Sequence, residues 1–439
     1  MTPRDAVAMA AVLGCALAML LLLRLYRQWT KADPEWIRKL AHIGTGLISL
    51  TLPWIFSNCT PIFIVCGVSI ALLLMMRYVP LIRGHLSGVL DGVARQSWGE
   101  IYFPLSVALL CQFARGSKLL YAVPLVVLTL ADTVAALTGA EYGKHGYGPT
   151  GAPKSIEGSI AFFCAAFFSV NVALVVFSEA GRIETLLISL DIALIVMLLE
   201  AIAWRGLDNI LIPLGVFILL RLYLAMPLGQ LWNRFRIAAL LVIGVTAYGR
   251  KTTLQGSAVL AAALVLYVSW ALGGWQWLIS PAILLLAYSF SLPGKVAPSD
   301  RTIDVYAVLS IASAGFTWLF LYRIWQQPSL LFPYTLAFAV HLAVIAWNLL
   351  YRKFSFKRLA MVACVLVSWG LMFAPYVLIE HGSRLSLLRA AGALPICAAA
   401  FAVFYLFEPR REGAYPATGA RWLRQAAIVL LATLAARIF

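Results

Sequence analysis

Long apolar runs, separated by short charged segments, recur from one end of this sequence to the other. Many of them approach or exceed the ~20 residues that a helix needs to cross a hydrocarbon core of about 30 Å. The alternating pattern of barrel strands is absent from the sequence. The pattern therefore predicts an all-α fold, a polytopic transmembrane helical bundle of about 15 helices. The clearest runs cover residues 7–23, 61–76, 156–176, 186–203, 254–272 and 303–321.

Composition supports a lipid environment, because 62% of the 439 residues are hydrophobic and only 12% are charged. A chain of this length in water would form two or more domains and would carry more charge. The first apolar run begins just after Arg4 and Asp5, exceeds the length of a signal peptide and lacks a small-residue cleavage site. We therefore expect it to stay in the protein as a helix.

The net charge of +16 does not indicate a nucleic-acid partner, because the Lys and Arg residues lie in short loops between apolar runs. If residues 24–39 are cytoplasmic and the loops alternate, that side receives roughly two thirds of the positive residues, as the positive-inside rule expects. The sequence thus predicts an outward N-terminus and cytoplasmic loops at 77–100, 140–154 and 205–208.

The seven cysteines lie in or beside apolar stretches and form neither a Cys-x-x-Cys pair nor a Cys/His metal spacing. We expect them to serve packing.

A break in the apolar pattern at 226–236 predicts the domain organisation. Pro227, Gly229 and several polar residues interrupt the pattern there. We expect one transmembrane domain at 1–230 and a second at 237–439. Acidic residues occur at the predicted cytoplasmic helix ends of the first domain, whereas Lys and Arg dominate in the second. Chemistry is therefore expected in the first domain.

One carboxylate and the loop after it carry the clearest chemical signal. Asp132 lies within an apolar run, where a charge is costly unless it has a partner, a cavity or a metal ion. A Gly-rich stretch follows and ends at the start of the next predicted helix, where N–H groups and the helix dipole favour phosphate. The candidate phosphate-binding residues in this stretch are Gly139, Gly143, Lys144, Lys154, Ser155, Gly158 and Ser159.

The stretch resembles the signature of the dolichol kinase, phytol kinase and bacterial CTP-dependent diacylglycerol or polyprenol kinase family. In that signature an acidic residue precedes a Gly-rich loop and a Lys-Ser-x-Glu-Gly-Ser run. Ala131 stands where the family often has Gly before the acid. The residues that match the run are Lys154, Ser155, Glu157, Gly158 and Ser159.

Three other segments resemble elements of the same family. Arg38-Lys39-Leu40-Ala41-His42 resembles its Arg-Lys-x-x-His element, and Arg38 and His42 share one helix face. Glu200, Asp208-Asn209 and Pro213 follow its Glu…Asp-Asn…Pro order. Without the family, a basic membrane flank and a helix cap would be the preferred interpretations of these two segments. Residues 99–105 resemble its Gly-x-x-x-Phe-Pro segment.

The resemblance implies transfer of a phosphoryl group, typically from CTP, to the hydroxyl of an isoprenoid or other lipid alcohol, with Mg²⁺ as cofactor. The implied partners are the alcohol, the nucleotide and membrane lipid. Phosphoryl transfer depends mainly on positioning and charge neutralisation, and the residue types fit these roles without separating base from metal ligand. The implied catalytic residues are Asp132, Lys154, Glu157 and Glu200. Further phosphate contacts are Arg38, Lys39 and His42, and the metal ligands are Asp132, Asp208 and Asn209.

Two alternatives remain open at this point. A CTP-dependent phosphatidate cytidylyltransferase would use the same nucleotide, although its Lys- and Asp-rich signature is missing from the C-terminal region. A membrane transporter would use Asp132 in a buried ion or substrate site. A P-loop kinase is excluded because the sequence has no Walker-type loop.

The second domain resembles, at low specificity, the membrane family that includes phytyl-phosphate kinase, over residues 250–305. That family carries a later acidic cluster, whereas the counterpart here, residues 341–350, has no carboxylate. We therefore expect a degenerate or scaffold domain that helps to hold lipid.

Overall fold

The computed structural model describes residues 2–78, 98–147, 154–249, 252, 254–290, 303–350, 355–408 and 418–436. These residues form sixteen α-helices and one short 3₁₀ turn, Pro328–Leu330, and include no β-strand. The predicted all-α fold is confirmed. By length and composition, ten of the helices can cross a membrane.

The chain divides into two compact units, Met1–Ala238 and Ala239–Phe439. The first unit contains α1 Pro3–Thr30, α2 Pro34–Ile55, α3 Cys59–Tyr78, α4 Gly99–Ala114, α5 Lys118–Tyr142, α6 Ile156–Phe177, α7 Arg182–Ile202, α8 Asp208–Tyr223 and the start of α9 Leu228–Gly249. The second contains α10 Gly256–Gly273, α11 Trp275–Phe290, α12 Val305–Trp325, α13 Leu331–Leu350, α14 Lys357–Ile379, α15 Arg384–Phe407 and α16 Gly419–Ala435. The division falls inside α9, about eight residues beyond the end predicted for the first domain at 230.

Helix α5 lies at the centre of the first unit and packs against α2, α4, α6 and α8. It begins at Ser117, whose side chain accepts a hydrogen bond from the Leu120 N–H and so satisfies a free donor of the first turn. Four residues of its middle section, Leu125, Val127, Leu128 and Ala131, are all at 0% exposure. The helix that carries Asp132 is thus fixed by neighbours on several sides.

Helix α6 shows how the same apolar composition serves both protein and lipid. Phe162, Ala166, Val170 and Leu174 repeat every four residues and are fully buried, so they form one packed stripe. Phe168, Val172, Val175 and Val176 are more than half exposed. Since no water-soluble helix would expose such a face, this side of α6 is suited to contact acyl chains.

Helix α13 has the central position in the second unit, with α11, α12, α14, α15 and α16 around it. Tyr334 on this helix donates to the Trp277 carbonyl at 2.7 Å and contacts the Ser269 hydroxyl at 3.0 Å. Trp318 donates to Thr433 at 2.9 Å. These bonds satisfy buried polar groups that would otherwise be costly in an apolar interior.

The structure corrects the expectation for the cysteines. Cys59, at the start of α3, and Cys111, near the end of α4, form a disulfide with Cα atoms 5.9 Å apart. The expected packing role is wrong for this pair. The two cysteines pair because two helix ends meet in space, and their spacing in the sequence does not predict the disulfide. Cys66, Cys364 and Cys397 are buried free thiols, as a packing role requires.

Candidate active site

The Gly-rich loop between α5 and α6 is closed by backbone pairing. Gly146 and Ser155 form an antiparallel bridge, and the Tyr147 N–H donates to the Lys154 carbonyl at 2.8 Å. The Ile156 N–H donates to the His145 carbonyl at 3.0 Å. Residues 148–153, which hold part of the predicted signature, lie outside the described residues. The pairing fixes the backbone of Lys154 immediately before α6.

The two serines of the signature hold this loop in place. Ser155 is the N-cap of α6, and its hydroxyl accepts a hydrogen bond from the Gly158 N–H at 3.1 Å. The hydroxyls of Ser159 and Tyr147 are hydrogen-bonded to each other. Both side chains therefore stabilise the loop and helix start, and the start of α6 carries the positive end of the helix dipole.

Lys154 forms an ion pair with Glu200 near the end of α7. The ammonium Nζ lies 2.7 Å from Glu200 Oε1 and also donates to the Glu200 carbonyl oxygen. Only 14% of the Lys154 side chain and 12% of the Glu200 side chain are exposed. Two residues that are distant in sequence, each predicted to be catalytic, thus meet in a largely covered position.

A second buried ion pair joins α2 to α5. Lys39 Nζ lies 2.6 Å from Asp132 Oδ2 and 3.3 Å from the Asp132 carbonyl oxygen. His42 Nε2 is 3.8 Å from the same carboxylate oxygen, which is beyond hydrogen-bond distance. The partner that a carboxylate within a membrane helix requires is therefore Lys39.

Asp208, the first residue of α8, completes the cluster. The charges of Asp132 and Asp208 both act on Arg38, His42 and Glu200. Asp208 Oδ1 is buried and has no hydrogen-bond partner among the described residues. Asn209 follows in the first turn of α8 and is half-buried. We name Lys39, Asp132, Lys154, Glu200 and Asp208 the charged cluster.

The cluster extends inward from the helix ends. Lys154, Glu200 and Asp208 lie within two residues of a helix terminus, whereas Asp132 is ten residues before the end of α5. At 1.5 Å per residue, that places Asp132 about 15 Å along the helix axis from its terminus. The arrangement spans the depth between a membrane rim and the apolar interior.

The segment at 99–105 and the preceding Trp98 contact residues that flank the charged cluster. The Phe103 ring packs edge-on against His42, with ring centres 5.6 Å apart. The Trp98 N–H donates to the Arg205 carbonyl at 3.0 Å, which ties the start of α4 to the turn before Asp208. These contacts restrain His42 and the α8 start.

Three predicted residues lie outside the charged cluster, and two of them have partners of their own. Glu157 accepts from the His145 N–H at 3.3 Å and lies 2.7 Å from His145 Nδ1. Arg38 forms an ion pair with Glu35 one helical turn earlier. Lys144 is exposed in the loop after α5. The structure therefore gives Glu157 a loop-holding contact, and its predicted catalytic role stays a prediction.

The glycines serve close helix packing in addition to the loop. A Cβ atom built on Gly158 would lie 3.0 Å from the Ala135 carbonyl oxygen and 3.4 Å from the Gly139 Cα. Backbone atoms in a packed helix cannot withdraw as a flexible side chain does. Gly139 and Gly158 thus let α5 and α6 approach each other where the sequence predicted phosphate contact.

Gly158→Ala is expected to lower the free energy of unfolding by about 1–3 kcal/mol, because the added methyl overpacks the α5–α6 contact. Gly67→Ala is the matched control, since a Cβ there meets nothing within 4 Å and replacing Gly in a helix interior stabilises by up to about 1 kcal/mol. Thermal unfolding in detergent compares the two. Equal midpoints for both variants would contradict the packing role.

Sequence reasoning missed two residues of the loop, His145 and Tyr147. Burial raises the pKa of the Tyr147 phenol well above its ordinary value, and the negative charge of Glu200 acts in the same direction. The phenol therefore remains a neutral hydrogen-bonding group beside the Lys154–Glu200 pair. No spacing in the sequence marks either residue, because their partners Glu157 and Ser159 are brought near by loop closure.

The described residues contain no group of three or more His, Cys, Asp or Glu arranged to hold a metal ion. A nucleotide enzyme does not require one, because Mg²⁺ is commonly held by one or two carboxylates together with substrate phosphates. The unpartnered Oδ1 of Asp208 fits such a ligand. To act as a second ligand of Mg²⁺, the Asp132 carboxylate would have to give up its contact with Lys39 or share it with the ion.

Comparison with known proteins gives one informative relative. A phytol kinase of Synechocystis sp. is 30% identical to this chain over 200 residues, which make up 45% of this chain and 83% of that protein. The chain belongs to the phytol kinase family. No protein-family model and no solved structure matches it.

Membership in the phytol kinase family supports the general prediction from the sequence, which is a membrane kinase that acts on an isoprenoid alcohol. The matched stretch covers 45% of this chain, so the family leaves one domain's length of sequence without an assigned role.

Proposed function

We propose that this chain is a membrane-embedded kinase that transfers a phosphoryl group from CTP to the hydroxyl of an isoprenoid or other lipid alcohol. The proposed alcohols belong to the phytol, farnesol, polyprenol or dolichol class. The observation that supports it best is the meeting of Lys39, Asp132, Lys154, Glu200 and Asp208 in one charged cluster. A phytol kinase relative supports the same reaction class.

The charged cluster supplies the two requirements of phosphoryl transfer, which are cations for phosphate oxygens and acids for the metal and the alcohol. Lys154, at the positive end of α6, is proposed to hold phosphate oxygens once nucleotide competes with Glu200. Asp132, at the inner end of the cluster, is proposed to orient the alcohol hydroxyl. The released Glu200 carboxylate is a candidate base.

Magnesium fits the outer part of the same cluster. Asp208 and Asn209 are proposed as its oxygen ligands, with Asp132 as a further candidate. When bound, the ion would neutralise phosphate charge, which lowers the barrier for transfer.

A direct assay tests the proposal. The purified full chain in lipid nanodiscs is incubated with Mg²⁺, γ-labelled CTP or ATP, and a panel of phytol, farnesol, polyprenol and diacylglycerol. We expect a labelled lipid monophosphate, with CTP as the preferred donor. Labelled CDP-lipid and pyrophosphate from phosphatidate and α-labelled CTP would instead support a cytidylyltransferase, and vesicle uptake without lipid phosphate would support a transporter.

Cytoplasmic placement of the site is supported by the disulfide. Cys59 and Cys111 lie at the ends of α3 and α4, which the predicted topology assigns to the outer side. Disulfides persist in oxidising compartments and are rare in the cytosol. The ends that carry Lys154, Glu200 and Asp208 alternate to the opposite side.

Cysteine labelling in intact cells is expected to confirm that orientation. Glu179→Cys lies in the exposed turn between α6 and α7 and should react with an impermeant maleimide without permeabilisation. Lys144→Cys, in the exposed loop after α5, should react only after permeabilisation. The unaltered chain controls for the native thiols Cys15 and Cys164. The reverse labelling order would overturn the proposed side.

A further inference from the structure

A cavity of about 190 Å³ lies within the second unit. Its walls are mostly apolar side chains of α10 to α13, and the lining residues that carry polar atoms are Tyr288, Asn348 and Trp422. An apolar cavity of about 150 Å³ is large enough for benzene, so this one has room for a short branched hydrocarbon segment. Typical lining residues are Val265, Leu285, Ile311, Ala312, Phe338 and Ile345.

A buried polar pair lies about one helical turn along α13 and α16 from residues that line the cavity, and neither member of the pair is itself a lining residue. His341 is 0% exposed and Gln425 is 1% exposed, and His341 Nδ1 lies 2.9 Å from Gln425 Nε2. His341 is three residues after Phe338 and four before Ile345, so it shares their face of α13. Gln425 is one turn after Trp422 on α16.

Each member of this pair keeps one polar atom without a partner. His341 Nε2 and Gln425 Oε1 are buried and make no hydrogen bond to any described residue. If the amide donates to Nδ1, then Nε2–H is a free donor and Oε1 a free acceptor; if the amide is flipped, the roles exchange. In both cases the pair offers one donor and one acceptor in an apolar interior, where unpaired groups are costly.

An alcohol hydroxyl matches this arrangement, because it donates one hydrogen bond and accepts others. We infer that the second unit binds an isoprenoid alcohol, with its hydroxyl at the His341–Gln425 pair and its first isoprene units in the adjacent cavity. The choice of alcohol rests on the proposed function, whereas the site itself rests on the cavity and the pair. The second unit would then be a lipid-alcohol binding domain that needs no carboxylate.

Photoaffinity labelling of the full chain in nanodiscs tests this site. The probe is farnesol with a diazirine on its chain, and labelled peptides are identified by mass spectrometry. We expect label on cavity-lining segments of α10 to α13. Ala312→Leu, which fills the cavity, should reduce that label about tenfold. Ala314→Leu is the matched control, because Ala314 is equally buried on α12 but does not line the cavity.

The polar pair is tested with the methyl ether of the same probe, which accepts a hydrogen bond but cannot donate one. The alcohol should bind about tenfold more tightly than the ether, as loss of one buried hydrogen bond predicts. In His341→Leu the two probes should bind equally. Equal binding to the unaltered chain, or a cavity that takes no probe, would overturn the inference.

The experiment separates this inference from the proposed function. Labelling of the cavity without any lipid phosphate formation would retain the site and reject the kinase proposal. Lipid phosphate formation with all of the label on the first unit would retain the kinase proposal and reject the site.

Discussion

Asp132→Asn is expected to reduce lipid phosphate formation by about 100-fold or more, because it removes a preorganised charge from the deepest position of the charged cluster. Asn has nearly the same shape, so packing around α5 is preserved. Turnover is measured with the full chain, labelled CTP and farnesol in nanodiscs. The same preparation is checked for monodispersity and for its thermal midpoint.

Stability must be measured beside activity because Asp132→Asn also leaves Lys39 without its counter-charge. The Lys39 side chain is only 4% exposed, and breaking a buried pair costs about 3–5 kcal/mol. Asp191→Asn is the matched control, since Asp191 is also buried within a helix of the first unit but the sequence motifs do not include it. Near-normal turnover in folded Asp132→Asn protein, or an equal loss in both variants, would reject the assigned role.

The fold was largely predictable because the membrane restricts the choice. A chain that must satisfy its backbone in lipid forms helices or a closed barrel, and runs such as 156–176 have helical length without strand alternation. The helix boundaries were harder to predict from the sequence. Residues 231–236 were predicted as a break, yet they lie inside α9, because isolated polar residues at a membrane rim are compatible with helix.

Most residues of the charged cluster could be singled out from the sequence, but their pairings could not. Asp132, Lys154, Glu200 and Asp208 were recognisable from family motifs, whereas the pairing of Lys39 with Asp132 depends on how α2 packs on α5. The glycines were interpreted as ligand contacts, and the structure shows that Gly158 meets the α5 backbone. His145 and Tyr147 gain their contacts only through closure of the loop, so no local sequence pattern predicts these contacts.

The site proposed in the second unit could not be predicted from sequence motifs. The lack of carboxylates in 341–350 predicted a degenerate domain, because an acidic cluster was the expected mark of chemistry. A binding site for a neutral alcohol requires a donor, an acceptor and apolar walls instead. His341 and Gln425 are far apart in sequence, and their pairing becomes visible only once α13 and α16 are packed together.

Lys154→Met is expected to abolish lipid phosphorylation, with a loss of about 100-fold or more, because it removes the cation proposed to hold phosphate. Alone, the substitution also leaves the Glu200 carboxylate buried without a counter-charge, which is expected to lower the free energy of unfolding by about 3–5 kcal/mol. Inactivity of this variant would therefore be ambiguous.

Combining Lys154→Met with Glu200→Gln tests whether inactivity comes from instability or from loss of the chemistry of the Lys154–Glu200 pair, because replacing both members of a buried ion pair by neutral groups is often neutral or stabilising. We expect the double variant to recover most of the thermal midpoint while lipid phosphate formation stays at the level of Lys154→Met. The matched control is Arg421→Met with Glu408→Gln, which removes the Arg421–Glu408 ion pair of 2.8 Å from the second unit. That control should retain phosphorylation if it folds. Recovery of both turnover and stability in the Lys154→Met, Glu200→Gln double variant would show that the Lys154–Glu200 pair is structural. The phosphate-binding role of Lys154 would then be rejected.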